Sequence, residues 1–370
     1  MKLLSERENF LLAVNRQEPQ WVPYSIWLAP DLEERYKAHI GEREFGRRFS
    51  MPWVNLGGVR WQRTRPRPTW EDFRRYYEGE DIPDAVEPNG YGVIRVPGSV
   101  YHFTHMLNPM RRLTTAREVY DYPWPEEPPY DDPDYIRQLK EKVDAVKATG
   151  KAALAGSGGL FELGWSLRGN DRMLEDFVTD GEVSEAILDI LCQRAVGSAR
   201  AAAMAGADVL GAGDDVGMQT GLMMSPATWR KWLKPRTEAI FRAAKEVKPD
   251  IVIRYHTDGN VESILPDFIE IGLDCLNPVQ PECMDPKSLK ARYGDRLSFW
   301  GTIGVQSVFP WGTPTELRAN VRDMIETVGK GGGLVVGPTH TVEPEVPIEN
   351  LDAFFEAVWD FGGYRTLGLV

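Results

Sequence analysis

From about residue 150 onward, short β-prone runs alternate with longer segments whose apolar positions recur every three or four residues. That alternation marks repeated βα units, and strands joined by helical crossovers pair in parallel. Six runs read as strands: AALAGSG at 152–158, ADVLGAG at 207–213, DIVIRY at 250–255, LDCLN at 273–277, LSFWG at 297–301 and LVVG at 334–337. Helix ends between them are well marked. Asp132-Pro133 opens a helix that Gly150 closes, Ser225-Pro226 opens another, and Thr313-Pro314-Thr315-Glu316 is a capping box with proline at its first position. In that last helix Leu317, Val321, Met324, Ile325 and Val328 share one face, which predicts the side laid against the sheet.

Two more strands close an eight-stranded barrel, and 22–27 (VPYSIW) and 53–57 (WVNLG) are the candidates. Residues 91–112 read as a β-hairpin with a Pro-Gly turn inserted after the second strand, and the acidic, proline-rich YPWPEEPPYDDPD that follows is a surface connector. The expectation is an α/β fold, one (β/α)8 TIM-barrel domain over 1–370 with an N-terminal extension and an insertion at about 58–130. A length of 370 leaves room for such an insertion beyond the roughly 250 residues of a plain barrel.

Composition narrows the function classes. Hydrophobic content of 42% is that of an ordinary globular chain, with no apolar run near the ~20 residues a membrane span requires. A net charge of −12 argues against nucleic acid, the arginines of RRFSMPW and RWQRTRPRP serving either a solvated face or an anionic substrate. The N-terminus lacks a signal-peptide h-region, so the expected address is cytoplasmic. Cys192, Cys275 and Cys283 form no CxxC pair and read as reduced thiols.

Barrel enzymes carry their chemistry on the loops after strand carboxyl ends. Standing there are Glu162, Asp214-Asp215, His256-Thr257-Asp258, Asn277 with Gln280, Thr302, and Thr339-His340. Two of the chain's five histidines therefore end strands on one face. His256 and Asp258 are two apart and point the same way in extended backbone, and His340 offers a third ligand from the opposite rim. Such a set suits Zn²⁺ or another borderline divalent ion. The competing reading makes a histidine a hydrogen-bond donor or general acid, with Asp258 orienting its ring. Asp214 and Asp215 point in opposite directions, so one of them faces substrate, where a raised pKa would make it an acid or base; the alternative is that one of them only caps the following turn through backbone N–H groups. Glu162, Arg254, Asn277, Gln280 and Thr302 are substrate-binding candidates, Arg254 for a carboxylate. Gly331-Gly332-Gly333 precedes its strand and lies at the opposite end, which excludes a phosphate cradle. The twelve tryptophans either line an aromatic pocket or pack the insertion.

Four stretches then resemble the uroporphyrinogen decarboxylase-like superfamily, which includes the decarboxylase and corrinoid-linked methyltransferases. They are RENFLLAVNRQEPQWVPYSIW, GADVLGAGDDVGMQTGLMMSPATWRKWLKPR, HTDGNVESILPDFIEIGLDCLNPVQPECMDPKSLKARYGDRLSFWGTIG and GGGLVVGPTHTVEPEVPIENLDAFFEA. The resemblance implies a TIM barrel. His340 matches a histidine of the decarboxylase branch before P-x-x-P-x-E-N, yet that branch's arginine-rich RQAGRY-type motif is absent. In the methyltransferase branch an H-x-C motif and a later cysteine bind zinc. Here His256 matches the first ligand, while Asp258 and His340 stand where the thiolates would be. This harder set implies oxygen-centred chemistry.

The leading expectation is a methyltransferase that moves a methyl group between a small substrate and a separate corrinoid protein. His256, Asp258 and His340 would hold the ion, and Asp214 or Asp215 would handle protons. No D-x-H-x-x-G corrinoid-binding segment lies in the chain, so the corrinoid belongs to a partner. The alternative is a metal-free decarboxylase of an aromatic or pyrrolic acid, with Arg254 on a carboxylate. A non-catalytic binding barrel is a third reading, and a homodimer is compatible with any of them.

Overall fold

Every strand of the main sheet runs parallel to its neighbours, in the order in which the chain makes them. In the computed structural model, which describes residues 2–82, 86–97 and 104–370, these are β1 (Trp53–Asn55), β2 (Ala152–Gly158), β3 (Val209–Gly213), β4 (Val252–His256), β5 (Cys275–Asn277), β6 (Ser298–Trp300) and β7 (Leu334–Val335). The expected first strand is present only as two parallel bridges, Tyr24 to Val336 and Leu28 to Val342. Pro23 has no N–H to donate, but its carbonyl accepts from Val336 N at 2.9 Å. With that segment beside β7, the curled sheet and its outer helices form the (β/α)8 barrel that the alternation predicts.

Period-two alternation along β4 separates the two sides of the sheet. Ile253 and Tyr255 pack outward among the helices, while Val252 joins an interior cluster with Phe10, Trp53, Leu154, Val209, Cys275, Trp300 and Val335. The helix Glu6–Val14 lies across the amino-terminal ends of the strands, where Arg7 N reaches Gly150 O and Ala13 O accepts from Gly333 N. Its Phe10 ring sits 5.3 Å from Trp53 and 5.6 Å from Trp300, so the barrel is plugged at that end. Gly331, Gly332 and Gly333 border the plug, and Gly332 would clash with Gln17 if it carried a Cβ.

Helix ends follow their local signals. Asp132, Ser225 and Thr313 accept from the backbone of the first turns they precede, and Thr313 with Glu316 completes the capping box. Leu317, Val321, Met324, Ile325 and Val328 are all buried. Between β1 and the helix Pro133–Ala148, the chain adds two short helices, Trp70–Phe73 and Ala116–Tyr120, a 3-10 turn and an antiparallel pair, Ile94–Pro97 with Thr104–Leu107. The expected Pro-Gly turn of that hairpin lies outside the described residues. The hairpin's far end meets the barrel at Met110, whose N–H donates to Leu167 O at 2.9 Å. No helix among the described residues is long and apolar enough to cross a membrane.

Because Phe10 is fully buried and fills the plug, Phe10→Ala is expected to cost about 3–5 kcal/mol and to lower the urea midpoint. An unchanged midpoint would show that the plug contributes nothing to the barrel.

Candidate functional site

Backbone register builds the site. Gly213 pairs with His256 and His256 with Asn277, so the carboxyl ends of β3, β4 and β5 stop at one level. A Cβ on Gly213 would lie 2.6 Å from His256 O, and one on Gly217 would lie 2.4 Å from Asp258 O. Only hydrogen at those positions lets the two loops close on each other. The next residues, Asp214-Asp215 and Thr257-Asp258, therefore sit side by side, and Asp258 N donates to Asp215 Oδ1 at 2.8 Å.

Asp214 and Asp215 diverge as adjacent residues should. Asp214 turns into the protein, where its carboxylate accepts from Leu160 N and Glu162 N at 2.9 Å. It caps the helix Phe161–Arg168 from a neighbouring strand, because that helix has no side-chain cap of its own. Burial pushes its carboxyl up to about 7, against those N–H bonds. Asp214 is therefore the buried, capping member of the pair. Asp215 faces outward instead, with Oδ1 3.9 Å from His256 Nε2.

One potential ligand atom each from Asp215, His256 and Asp258 lies within 4.8 Å of the others. The side chains of His256 and Asp215 are 35% and 32% exposed, enough for a small ligand to reach them. Asp258 Oδ1 is buried with no hydrogen-bond partner among the described residues. Burial, then Asp215, raises the Asp258 carboxyl above its usual range, and His256 and His340 oppose the rise. Glu162 is raised in the same way, first by burial and then by Asp215.

His340 is not among the three groups whose ligand atoms converge, although its charge acts on Asp258. It is exposed on the segment after β7, and two residues on, Val342 N bonds Trp27 O at 2.8 Å. That pairing carries the segment along the first-strand side of the barrel, opposite β4. Asp215 takes its place among the three converging groups, a substitution that Asp215's neighbouring loop position allowed but its sequence spacing did not reveal.

The substrate-binding candidates divide. Glu162 borders the carboxylates at the helix start. Asn277 is buried behind His256, with Oδ1 2.7 Å from His256 Nδ1, so it orients a site residue rather than meeting a substrate. Arg254 donates to the same oxygen and lies 4.7 Å over the Trp300 ring. Gln280 Oε1 accepts from Gly259 N at 2.5 Å, which ties the loops after β4 and β5 together. Thr302 is 1% exposed, too deep for a substrate contact, and its Oγ1 has no partner among the described residues. Asp258 makes no hydrogen bond to His256, so the expected orienting role falls to Asn277. Trp53 and Trp300 pack inside the barrel, while Arg48 is spent on Glu44 and Asp352. A cavity of about 410 Å³ lined by Leu4, Glu6, Trp21, Tyr24 and Tyr364 lies beside the first helix, at the other end of the barrel from His256. It gathers no comparable set of ligating groups.

Asp214 yields a pH prediction. Its folded-state value near 7 lies above the ordinary 3.8, so the folded chain holds an extra proton between them. Stability should fall as pH rises through that window. Asp214→Asn cannot ionise, and melting curves of the variant should lack that slope. Parallel pH profiles for the two proteins would overturn the assignment.

The model of the uroporphyrinogen decarboxylase (URO-D) family matches residues 114–361. Uroporphyrinogen decarboxylase of Pseudomonas aeruginosa is 31% identical over 118 residues, 30% of this chain and 32% of the relative. That of Psychromonas ingrahamii is 35% identical over 88 residues, 24% of this chain and 22% of the relative. The matched stretches thus span about a third or less of those relatives' length. A methyltransferase from Methanosarcina mazei superposes over 97% of this chain and 99% of its own, with a TM-score of 0.62 at 18% identity, a likeness of fold. With most of its barrel matched by the family model and low identity throughout, the chain belongs to the uroporphyrinogen decarboxylase family as a divergent member.

Proposed function

We propose that the protein is a cytoplasmic methyltransferase that moves a methyl group between a small methylated substrate and a separate corrinoid protein. In this reading Asp215, His256 and Asp258 hold a divalent cation. The observation that carries it is the convergence of those three groups at the carboxyl ends of the strands, with a buried Asp258 oxygen that has no partner among the described residues. Two carboxylates and one imidazole are a hard donor set that fits Zn²⁺, Mn²⁺ or a similar ion. A cation would also offset the crowding that raises Asp258. Support for methyl transfer comes from the shared fold of the Methanosarcina methyltransferase, and the three free cysteines suit a reducing compartment.

When bound, such an ion supplies Lewis acidity toward an oxygen of the methyl donor. The chain's own groups do the rest. Glu162, held above its ordinary range by burial and Asp215, keeps its proton to higher pH and is the donor for a leaving oxygen. In the forward direction a methyl carbon–oxygen bond would break, the partner protein's reduced corrinoid would supply the electron pair that takes up the methyl group, and the oxygen would leave with the old bond's electron pair and take the Glu162 proton. Asp214 anchors the helix turn that carries Glu162. Decarboxylation with Arg254 on a carboxylate has less support, because one guanidinium nitrogen is engaged by Asn277 and the group stacks on Trp300, although Nε is left buried without a partner among the described residues.

Equilibrium dialysis against Zn²⁺, Mn²⁺ and Co²⁺ tests the cation. The expected result is about one equivalent bound by the wild type and by His340→Ala, with affinity reduced at least about tenfold in His256→Ala and Asp258→Ala. Absence of stoichiometric metal in the wild type, or a loss with His340→Ala alone, would sink the ligand set. Methylation of added cob(I)alamin by a panel of methyl ethers and methylamines tests the transfer separately.

A further inference from the structure

We infer that Asn277 is a positioning residue that locks His256 in the Nδ1–H tautomer, so that an unprotonated Nε2 faces Asp215 and Asp258. The argument starts at the far end of the carboxamide. Asn277 Nδ2 donates to Trp300 O at 2.8 Å, and a carbonyl accepts but never donates. The amide is therefore oriented with Oδ1 toward Arg254 and His256. A guanidinium has only donors, so the contact with Arg254 confirms Oδ1 as the acceptor. His256 Nδ1 lies 2.7 Å from the same oxygen. Two acceptors do not share so short a contact, so Nδ1 carries the proton and the neutral ring keeps its lone pair on Nε2.

The lock has backing of its own. Arg254 is held over the Trp300 ring, and Trp300 Nε1 donates to Ser25 Oγ at 2.9 Å. A chain of contacts thus runs from the first barrel strand through Trp300, Arg254 and Asn277 to the imidazole. Arg254 acts through Asn277, and no carboxylate pairs with its guanidinium among the described residues. Register makes the arrangement possible, since His256 and Asn277 are paired neighbours on β4 and β5. The consequence for metal affinity rests on the proposed cation site, whereas the tautomer itself does not.

Protein labelled with ¹⁵N-histidine, free of metal and at a pH where the ring is neutral, is read by long-range ¹H–¹⁵N spectra, with His256→Ala assigning the signal among the five histidines. The wild type and Asn277→Asp, which keeps the acceptor, are expected to show Nδ1–H. Asn277→Leu, which removes it, is expected to move His256 toward Nε2–H. Titration with Co²⁺ is expected to weaken about 10–100-fold in Asn277→Leu and to stay within about threefold in Asn277→Asp. An Nε2–H wild type overturns the inference without any variant, and so does an Asn277→Leu protein with unchanged tautomer. If the tautomers behave as expected but the wild type binds no Co²⁺, the cation reading fails and the lock stands.

Discussion

Parallel hydrogen-bond register between β3, β4 and β5 is the constraint on which the rest of this molecule depends. It fixes Gly213, His256 and Asn277 at one height, and everything chemical is then a matter of which way the next one or two residues turn. A one-residue slip of β4 would exchange His256 with Tyr255 and bury the imidazole among the outer helices. The plug formed by Phe10, Trp53 and Trp300 works on the same strands from the opposite end, filling the barrel so that its mouth is the one place left for polar groups.

Four carboxyl groups crowd that mouth: Glu162, Asp214, Asp215 and Asp258. Burial acts against charge on three of them, and mutual repulsion adds to it. The chain relieves the crowding unevenly. Asp214 receives backbone N–H groups at a helix start, Asp215 receives Asp258 N, and Asp258 keeps one oxygen without a partner among the described residues. Arg254, a cation inside the barrel, is directed to an amide and an aromatic ring instead of to the acids. Negative charge is thereby left concentrated on the side of His256 that faces solvent, the electrostatic condition for a cation site.

Seven strands of the main sheet, the capping box at Thr313 and the inward stripe of the helix that follows it were legible because each is written in local periodicity and local hydrogen-bond chemistry; the expected first strand is reduced to isolated bridges. The pairing of His256 with Asp258 was legible for the same reason, since two residues apart in extended backbone means one side of the sheet. What could not be read was any relation between loops. Asp215 and His340 both follow strand ends, and nothing in their spacing distinguishes the loop that closes on Asp258 from the loop that Val342 draws toward Trp27. Asn277 looked like a substrate contact because a polar residue at a strand end usually is one, and its partners lie 23 residues away on both sides of it.

By itself, then, the sequence determined the barrel, the end of the barrel where chemistry gathers, and the residues that stand there, because strand period and turn chemistry are properties of neighbours along the chain. Only the tertiary structure decided which of those residues share a ligand, which cap a helix and which stand behind another side chain. Those are differences of a few ångströms in the approach of separate loops, set by register, by glycines that allow contact and by the competition of buried groups for partners.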